Sequence, residues 1–425
     1  MTYSKLYLGY VIKKRNLEEK INKALLNFPV VLLVGARQVG KSSLTKSLRS
    51  DWKYFDLENS SHYELITRDF DFFFSQYSQN IIIDEAQESP ELFRNLRGVI
   101  DQKRDLKNRF LLTGSSSLEL LKAASDSLAG RIAVFEIPTF KLNEVKEEKL
   151  PEIYSLLNNK LTKKNLEVFL KNFQPKKSNE DLLEHFLLGG YPEARKIYDE
   201  DKSVYYDWMQ NYYDSYLKKD VKRLFPKLNE GKFGKFIQML SSLSGKLVNK
   251  SELGRSIDVS EVTIKHYLEV AEGTFLWQNL YSFESSHIKS IIKTSKGVLR
   301  DSGLLHFIQK IQNLDDLFLN PQLGRNFEGF IVEEFIKGAQ ATNAKLLSFH
   351  HYRTRAHAEI DFILEGSFGK LPIEIKFSSH TRNQKLKTLE RFIEDHGLEY
   401  GFVINQSDDF HWLSEKILQV PAKYI

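Results

Sequence analysis

The stretch VVLLVGARQVGKSSLTKSL, from Val30 to Leu48, constrains this chain more than any other. Val30–Val34 is a short all-apolar run of the kind that forms a strand buried on both faces. Gly35, Gly40, Lys41 and Ser42 then fall in the spacing G-x-x-x-x-G-K-[ST], and SSLTKSL has helical periodicity. Strand, glycine loop and helix in that order make a phosphate cradle. The glycines let backbone N–H groups along Gly35, Ala36, Arg37, Gln38, Val39, Gly40, Lys41, Ser42 and Ser43 turn inward, and the helix N-terminus adds positive potential. Lys41 is expected to reach the β- and γ-phosphates of ATP, and Ser42 to ligate Mg2+. The fold class this unit predicts is α/β, a P-loop core around a parallel sheet.

The next parts arrive in the order such a core needs. NIIIDEA, from Asn80 to Ala86, is an apolar strand ending in two acids. Asp84 is placed to hold the Mg2+ ligand shell and Glu85 to act as general base on the attacking water. A third strand, RFLLTGSSS, ends in Thr113 and Ser115. Thr113 is a candidate catalytic residue between water and γ-phosphate. The competing reading is that these hydroxyls cap the next helix. Arg131, in LAGRI, is a candidate for stabilising the transition state, in its own site or in a neighbouring subunit's; the competing reading is a surface arginine.

At 425 residues the chain is long enough for two to four domains. It has no cysteine, which excludes disulfides and thiolate chemistry. No run of eighteen apolar residues suggests a membrane span, and the first twenty residues lack the apolar core of a signal peptide. A cytoplasmic protein with no membrane partner is the expectation. The formal charge of +5 permits nucleic-acid binding without arguing strongly for it.

RNLEEKINKALLNFPVVLLVGARQVGKSSL, NIIIDEAQ, LLTGSSS and SLAGR together resemble the prokaryotic predicted AAA+ ATPases that carry a C-terminal domain of unknown function 4143. The resemblance runs on through LLGGYPEA (187–194), the Asp301-Ser-Gly-Leu stretch and the tail. It implies an origin-recognition-like AAA+ ATPase core with five parallel strands. Ser42 stands where threonine is commoner, and KGVLRDSGL lacks an aromatic strand before its aspartate. The expected division is an ATPase domain at 1–145, a helical linker or lid at 146–232, a winged helix-turn-helix at 233–312 and a PD-(D/E)xK nuclease-like α/β domain at 313–425.

In the middle region, the helix YYDWMQNYYDSYLKKDVKRLF (205–225) interleaves aromatics with Lys218, Lys219, Lys222 and Arg223. Aromatics among bases can stack on nucleic acid, but rings at three- and four-residue spacing read better as core. SELGRSIDVSEVTIKHYLEVAEGTFLW (251–277) reads as helix-turn-helix. Gly254 permits close helix approach, Asp258 suits a left-handed turn, and Ser260 is an N-cap. Ile264, Tyr267 and Leu268 form the buried face of the second helix. Glu261, Thr263, Lys265 and His266 are then left to face DNA. Strands at 274–283 and 288–299 would form the wing.

The tail carries AEIDFILEGSFGKLPIEIKF. Both halves alternate polar and apolar residues, and EGSFGK is a turn, so the stretch is a hairpin. Pairing Leu364 with Leu371 sets Asp361 opposite Glu374, and Glu359 opposite Lys376, all on one face. Opposed carboxylates need a positive charge between them, and Mg2+ is the natural candidate. Glu328, on the helix NFEGFIVEEFIK, would complete a metal set of Glu328, Asp361 and Glu374. Lys376 would activate water, and Arg353 and Arg355 would contact phosphate. The order helix-Glu, E-x-D, E-x-K resembles the PD-(D/E)xK nucleases. Three functional readings result: an ATPase that acts on DNA with a metal-dependent nuclease tail, a non-nuclease nucleotide switch that binds protein partners, and an oligomeric motor in which Arg131 completes a neighbour's site.

Overall fold

Val30–Val34 (β1) is buried at every position. Lys53–Asp56 (β2), Ile81–Asp84 (β3), Phe110–Gly114 (β4) and Ile132–Glu136 (β5) join it in one sheet of order β2-β3-β4-β1-β5. Every pairing is parallel. The register sets Val34 beside Gly114 and Glu136, and Asp84 beside Asp56. The loops after β1, β3 and β4 therefore leave from one edge, where ligands bind in open parallel sheets. Leu92, Phe93, Leu96 and Ile100 of helix Glu91–Asp101 pack with Leu32, Ile83 and Leu112 in the core on one face.

The computed structural model describes residues 6–7, 10–11, 13–115, 118–174, 178–222, 225–226, 228–283, 295–354, 358–378 and 383–425. Two units emerge: residues 1–140 with 273–275, and residues 141–272 with 276–425. The first holds the parallel sheet.

The second unit starts with helices, as the glycine-poor sequence predicts. In helix Lys202–Ser215 and the π-helical turn that continues it, Tyr205, Met209, Tyr212 and Tyr216 are buried. The aromatic stripe is core. Lys222 pairs with Glu230 at 2.6 Å; the side chains of Lys218 and Lys219, and all of Arg223, lie outside the described residues.

Helices Lys250–Ser256 and Glu261–Gly273 form the helix-turn-helix. A Cβ on Gly254 would come within 2.7 Å of the Val259 carbonyl oxygen, so glycine is required for the close approach. Asp258 takes φ 55°, and Ser260 Oγ accepts from the Thr263 amide at 3.1 Å.

The rest of the second unit is built on one nine-stranded mixed sheet. Its strands are β6 (Lys246–Leu247), β7 (Trp277–Ser282), β8 (Lys296–Leu299), β9 (Ser348–Arg353), β10 (Glu359–Gly366), β11 (Gly369–Ile375), β12 (Gly401–Asn405), β13 (His411–Trp412) and β14 (Ile417–Pro421). The order is β13-β14-β12-β11-β10-β9-β7-β8-β6. β7 and β8 are antiparallel, with Leu280 opposite Lys296. Residues 284–294 between them, where the wing is expected to turn, are outside the described residues. β7 also pairs with β9 in parallel, through Tyr281–His350 and Ser282–His351. Strands from the expected 233–312 and 313–425 segments thus share one sheet.

Helix Leu323–Ala341 is buried along most of its length, acids included. Each buried acid meets a cation: Glu328 meets Lys296, Glu333 meets Arg300 at 3.3 Å, and Glu334 meets Lys141 at 3.1 Å and Lys337 at 3.2 Å. Buried charges persist only when paired in this way.

Candidate functional site

The phosphate loop is held open by its own lysine. Lys41 is buried, and its Nζ donates to the Gly35 carbonyl at 3.0 Å and the Ala36 carbonyl at 2.8 Å. Gly35 and Gly40 take φ of 153° and 90°, and a Cβ on Gly35 would lie 2.3 Å from the Ile137 carbonyl oxygen. Gln38 is also left-handed, at φ 60°. Ala36 and Val39 are buried, Arg37 pairs with Glu58 at 3.0 Å, and Ser42 and Ser43 open the helix Lys41–Leu48. Arg15 braces the loop from below: Nη1 donates to the Val39 carbonyl at 2.8 Å and Nη2 to the Pro138 carbonyl at 2.5 Å.

Asp84 and Glu85 stand at the tip of β3. Asp84 is buried and accepts from the Tyr54 hydroxyl at 2.5 Å and from Thr113 Oγ1. Burial, then the bond to Asp84, pushes the Tyr54 hydroxyl well up, so the phenol stays a donor. Thr113 is fully buried and its oxygen also accepts from the Glu85 amide at 3.1 Å. One hydroxyl therefore ties the aspartate to the backbone of the glutamate. Glu85 itself sits at φ 55°, and its carboxylate accepts from Gln87 Nε2 at 2.5 Å. Gln87 in turn contacts the Ser115 amide and hydroxyl, both at 3.3 Å.

Lys41, Ser42, Asp84, Glu85 and Thr113 are thus brought to one sheet edge, but Arg131 is not. Its carbonyl accepts from the amide of Val30, at the start of β1, which is the opposite edge from the phosphate loop. Its guanidinium forks onto Asp101 at 2.8 and 3.0 Å. The expectation that Arg131 serves its own site is corrected: a residue preceding a parallel strand emerges at the far end of it. Tyr54, Gln87 and Arg15 cannot be picked out from sequence, because nothing local distinguishes them from ordinary surface tyrosine, glutamine and arginine.

In the second unit the hairpin forms with Leu364 opposite Leu371 and Phe362 opposite Ile373, the register expected. Asp361 and Glu374 are buried. Lys376 Nζ lies 3.1 Å from Asp361 Oδ2 and 2.7 Å from Glu374 Oε1, and donates to the Ile375 carbonyl at 2.7 Å. The Ile375 amide donates to Asp361 Oδ2 at 2.9 Å. Lys296, which no sequence motif marks, enters from β8. Its Nζ contacts Glu328 Oε1 and stands 3.7 Å from Glu359 Oε1 and 3.9 Å from Asp361 Oδ1. Burial and Asp361 push the Glu328 carboxyl up, and the Lys296 ammonium in contact with it pulls the other way, toward the carboxylate of an ion pair. Burial pulls both lysines down, but the carboxylates outweigh it and hold them above their ordinary value. The residues of the expected metal set meet two lysines here. Among the described residues no group of three or more histidine, aspartate or glutamate side chains is arranged to hold a metal ion. Glu328, Asp361 and Glu374 close around ammonium groups instead. Arg353 lies at the end of β9, opposite Glu359 in register; Arg355 is outside the described residues.

On the helix-turn-helix, Ile264, Tyr267 and Leu268 are buried, and Glu261, Lys265 and His266 are exposed, with Thr263 half-buried. Glu269 lies 4.0 Å from Lys265 and 3.9 Å from His266, so the outer face is close to neutral.

A glycine loop at the tip of a parallel five-stranded sheet, with an acid pair at the tip of β3, one strand beyond the neighbouring β4, defines a P-loop ATPase. Family models agree and extend this. An AAA domain matches residues 27–146, a domain of unknown function (DUF8612) matches 179–315, and a second (DUF4143) matches 323–425. The chain thus carries an AAA-type P-loop ATPase domain and a C-terminal DUF4143 domain. Uncharacterized protein Rv2008c of Mycobacterium tuberculosis and Uncharacterized protein Mb2031c of Mycobacterium bovis are each 27% identical over 417 residues, spanning 98% of this chain and 85% of theirs. Solved structures that match include the Walker-type ATPase PABY2304 of Pyrococcus abyssi, at 16% identity, 70% of this chain, 96% of that one and a TM-score of 0.46. The Thermotoga maritima RuvB Holliday junction branch migration motor matches at 17% identity, 62% and 88% coverage and a TM-score of 0.31. No described helix is long and apolar enough to cross a membrane.

Proposed function

We propose that the chain is an ATP-hydrolysing switch that acts on DNA through its helix-turn-helix. The observation that carries the ATPase half is the pairing of a lysine held at its own loop's carbonyls with an aspartate and glutamate linked by Thr113. MgATP is the substrate. The loop from Gly35 to Ser43 receives the phosphates, and Lys41 moves from the loop carbonyls to the β- and γ-oxygens. Ser42 and Asp84 hold the Mg2+ that arrives with the nucleotide and neutralises its charge. Glu85 takes the proton of the attacking water. Thr113 is a positioning residue, since its hydroxyl is spent on Asp84 and Glu85.

The DNA half rests on the helix pair at 250–273 and the β7–β8 hairpin, which support a winged-helix reading. The near-neutral outer face favours weak binding with little direct base readout, coupled to nucleotide state. Metal-dependent cleavage by the tail is the finer reading that the hairpin raises, and its two ammonium groups weigh against it. Protein partners and homo-oligomers remain compatible with this assignment.

Phosphate release from ATP, measured with and without duplex DNA, tests the reading, alongside DNA binding followed by fluorescence anisotropy with each nucleotide. Hydrolysis is expected in the full chain and not in Lys41→Ala, with DNA affinity differing between ATP and ADP. DNA affinity indifferent to nucleotide, together with hydrolysis indifferent to DNA, would leave a protein-directed switch.

A further inference from the structure

The Lys296 ammonium stands among the carboxylates that the tail would otherwise offer to a metal ion. Its Nζ touches Glu328 and faces Asp361 Oδ1 and Glu359. The second ammonium, on Lys376, takes Asp361 Oδ2, Glu374 Oε1 and the Ile375 carbonyl. Two carboxylates and that carbonyl are the oxygens a small divalent ion would need, in near-octahedral geometry and with waters. All are turned toward lysine.

Lys376 is partly exposed and has solvent to withdraw into. Lys296 has none. It is 2% exposed, and its strand is paired on both sides, with Leu280 and with Leu247. An arriving cation would meet a positive charge that cannot leave. Stripping that charge of its carboxylates would leave an unpaired ammonium in the interior, which is strongly destabilising.

A second observation is independent of the hairpin. Lys296–Glu328 and Arg300–Glu333 both join the β8 segment to helix 323–341. The helix and strand also close on each other at Gly329, where a Cβ would come within 3.3 Å of Val298. Glu328 therefore belongs to a series of ion pairs that seats the helix on the sheet.

We propose that Lys296 is a built-in counter-ion that replaces the divalent cation, making the tail a metal-free ion-pair lock between β8, helix 323–341 and the β10–β11 hairpin. This concerns the second unit alone and stands whether or not the chain acts on DNA.

Binding of Mn2+ to the full chain without nucleotide, followed by electron paramagnetic resonance, tests it. Three proteins are compared with wild type: Lys296→Met, Asp361→Asn, and the two substitutions together. Wild type is expected to bind no Mn2+ that depends on Asp361. Lys296→Met is expected to gain one site, roughly tenfold or more tighter than anything in wild type, the scale on which neighbouring groups tune a metal site. Adding Asp361→Asn should abolish that gain. Stoichiometric Mn2+ on wild type that Asp361→Asn alone removes would overturn the proposal. So would a folded Lys296→Met that gains nothing. If circular dichroism shows Lys296→Met unfolded, the wild-type and Asp361→Asn titrations decide alone.

Discussion

Replacing Thr113 by valine keeps the shape of a fully buried side chain and deletes one hydroxyl. That hydroxyl donates to Asp84 and accepts from the Glu85 amide. The Asp84 oxygen has no water to turn to, since Asp84 is 3% exposed and Thr113 is 0% exposed, whereas Glu85 is half-buried. An orphaned buried group costs about 1–3 kcal/mol, so Thr113→Val loses about 1–3 kcal/mol. A domain stable by about 5–15 kcal/mol mostly survives this at room temperature. With a urea dependence of about 2 kcal/mol per molar, the unfolding midpoint falls by about 0.5–1.5 M. The acids lose their common tether, so kcat for ATP falls by about a hundredfold, the lower part of what a positioned base supplies. KM changes little, because Lys41 and its loop are untouched. Thr113→Ser retains the hydroxyl and restores both quantities. Steady-state phosphate release and urea denaturation on the three proteins make the comparison. A Thr113→Val protein with unchanged midpoint and unchanged kcat would refute the tether. So would a kcat loss that Thr113→Ser does not reverse, since that would point to the methyl group or to direct contact with the nucleotide.

Arg131→Ala is expected to leave ATP hydrolysis at low protein concentration unchanged, since the guanidinium is bound to Asp101 at the far edge of the sheet. A large loss that appears only at concentrations where light scattering shows assembly would instead place Arg131 in a neighbour's site. Glu272 offers a test by pH. Burial, with Glu269 adding to it, pushes its carboxyl up to about 7. The folded state therefore keeps a proton that the unfolded chain releases near its ordinary, lower value. The stability this contributes is complete at acid pH and is lost as pH rises from about 4.5 through 7. Denaturation midpoints should decline over that window in wild type and flatten in Glu272→Gln.

The nucleotide site is legible in the sequence because its chemistry is local. Gly35 to Ser42 lie close together along the chain, and Asp84-Glu85 end a run whose burial is written in three isoleucines. The hairpin register is legible for the same reason: alternation on both sides of EGSFGK leaves one pairing that buries Phe362 and Ile373 together. Arg131 misleads because sequence shows that it precedes a strand but not which sheet edge that strand starts from. Lys296 is invisible for a different reason. KGVL reads as an ordinary strand, and only the stacking of β8 against helix 323–341 brings its ammonium to carboxylates far along the chain. Sequence puts Thr113 at the strand tip but does not show its contacts with Asp84 and the Glu85 amide, because a hydroxyl's partners are set by register between β3 and β4.

The parallel pairing of Tyr281 and Ser282 with His350 and His351 bears on how the chain can be taken apart. β7 has β8 on one side and β9 on the other. A truncation that ends before residue 348 would strip β9 away and leave β7 as a bare edge, its amides and carbonyls open to any strand that drifts past. Such a fragment invites strand pairing through β7 that β9 blocks in the intact sheet, and its DNA binding would be measured on the wrong species. Dissecting this protein into modules is therefore a task for single side chains, not for scissors.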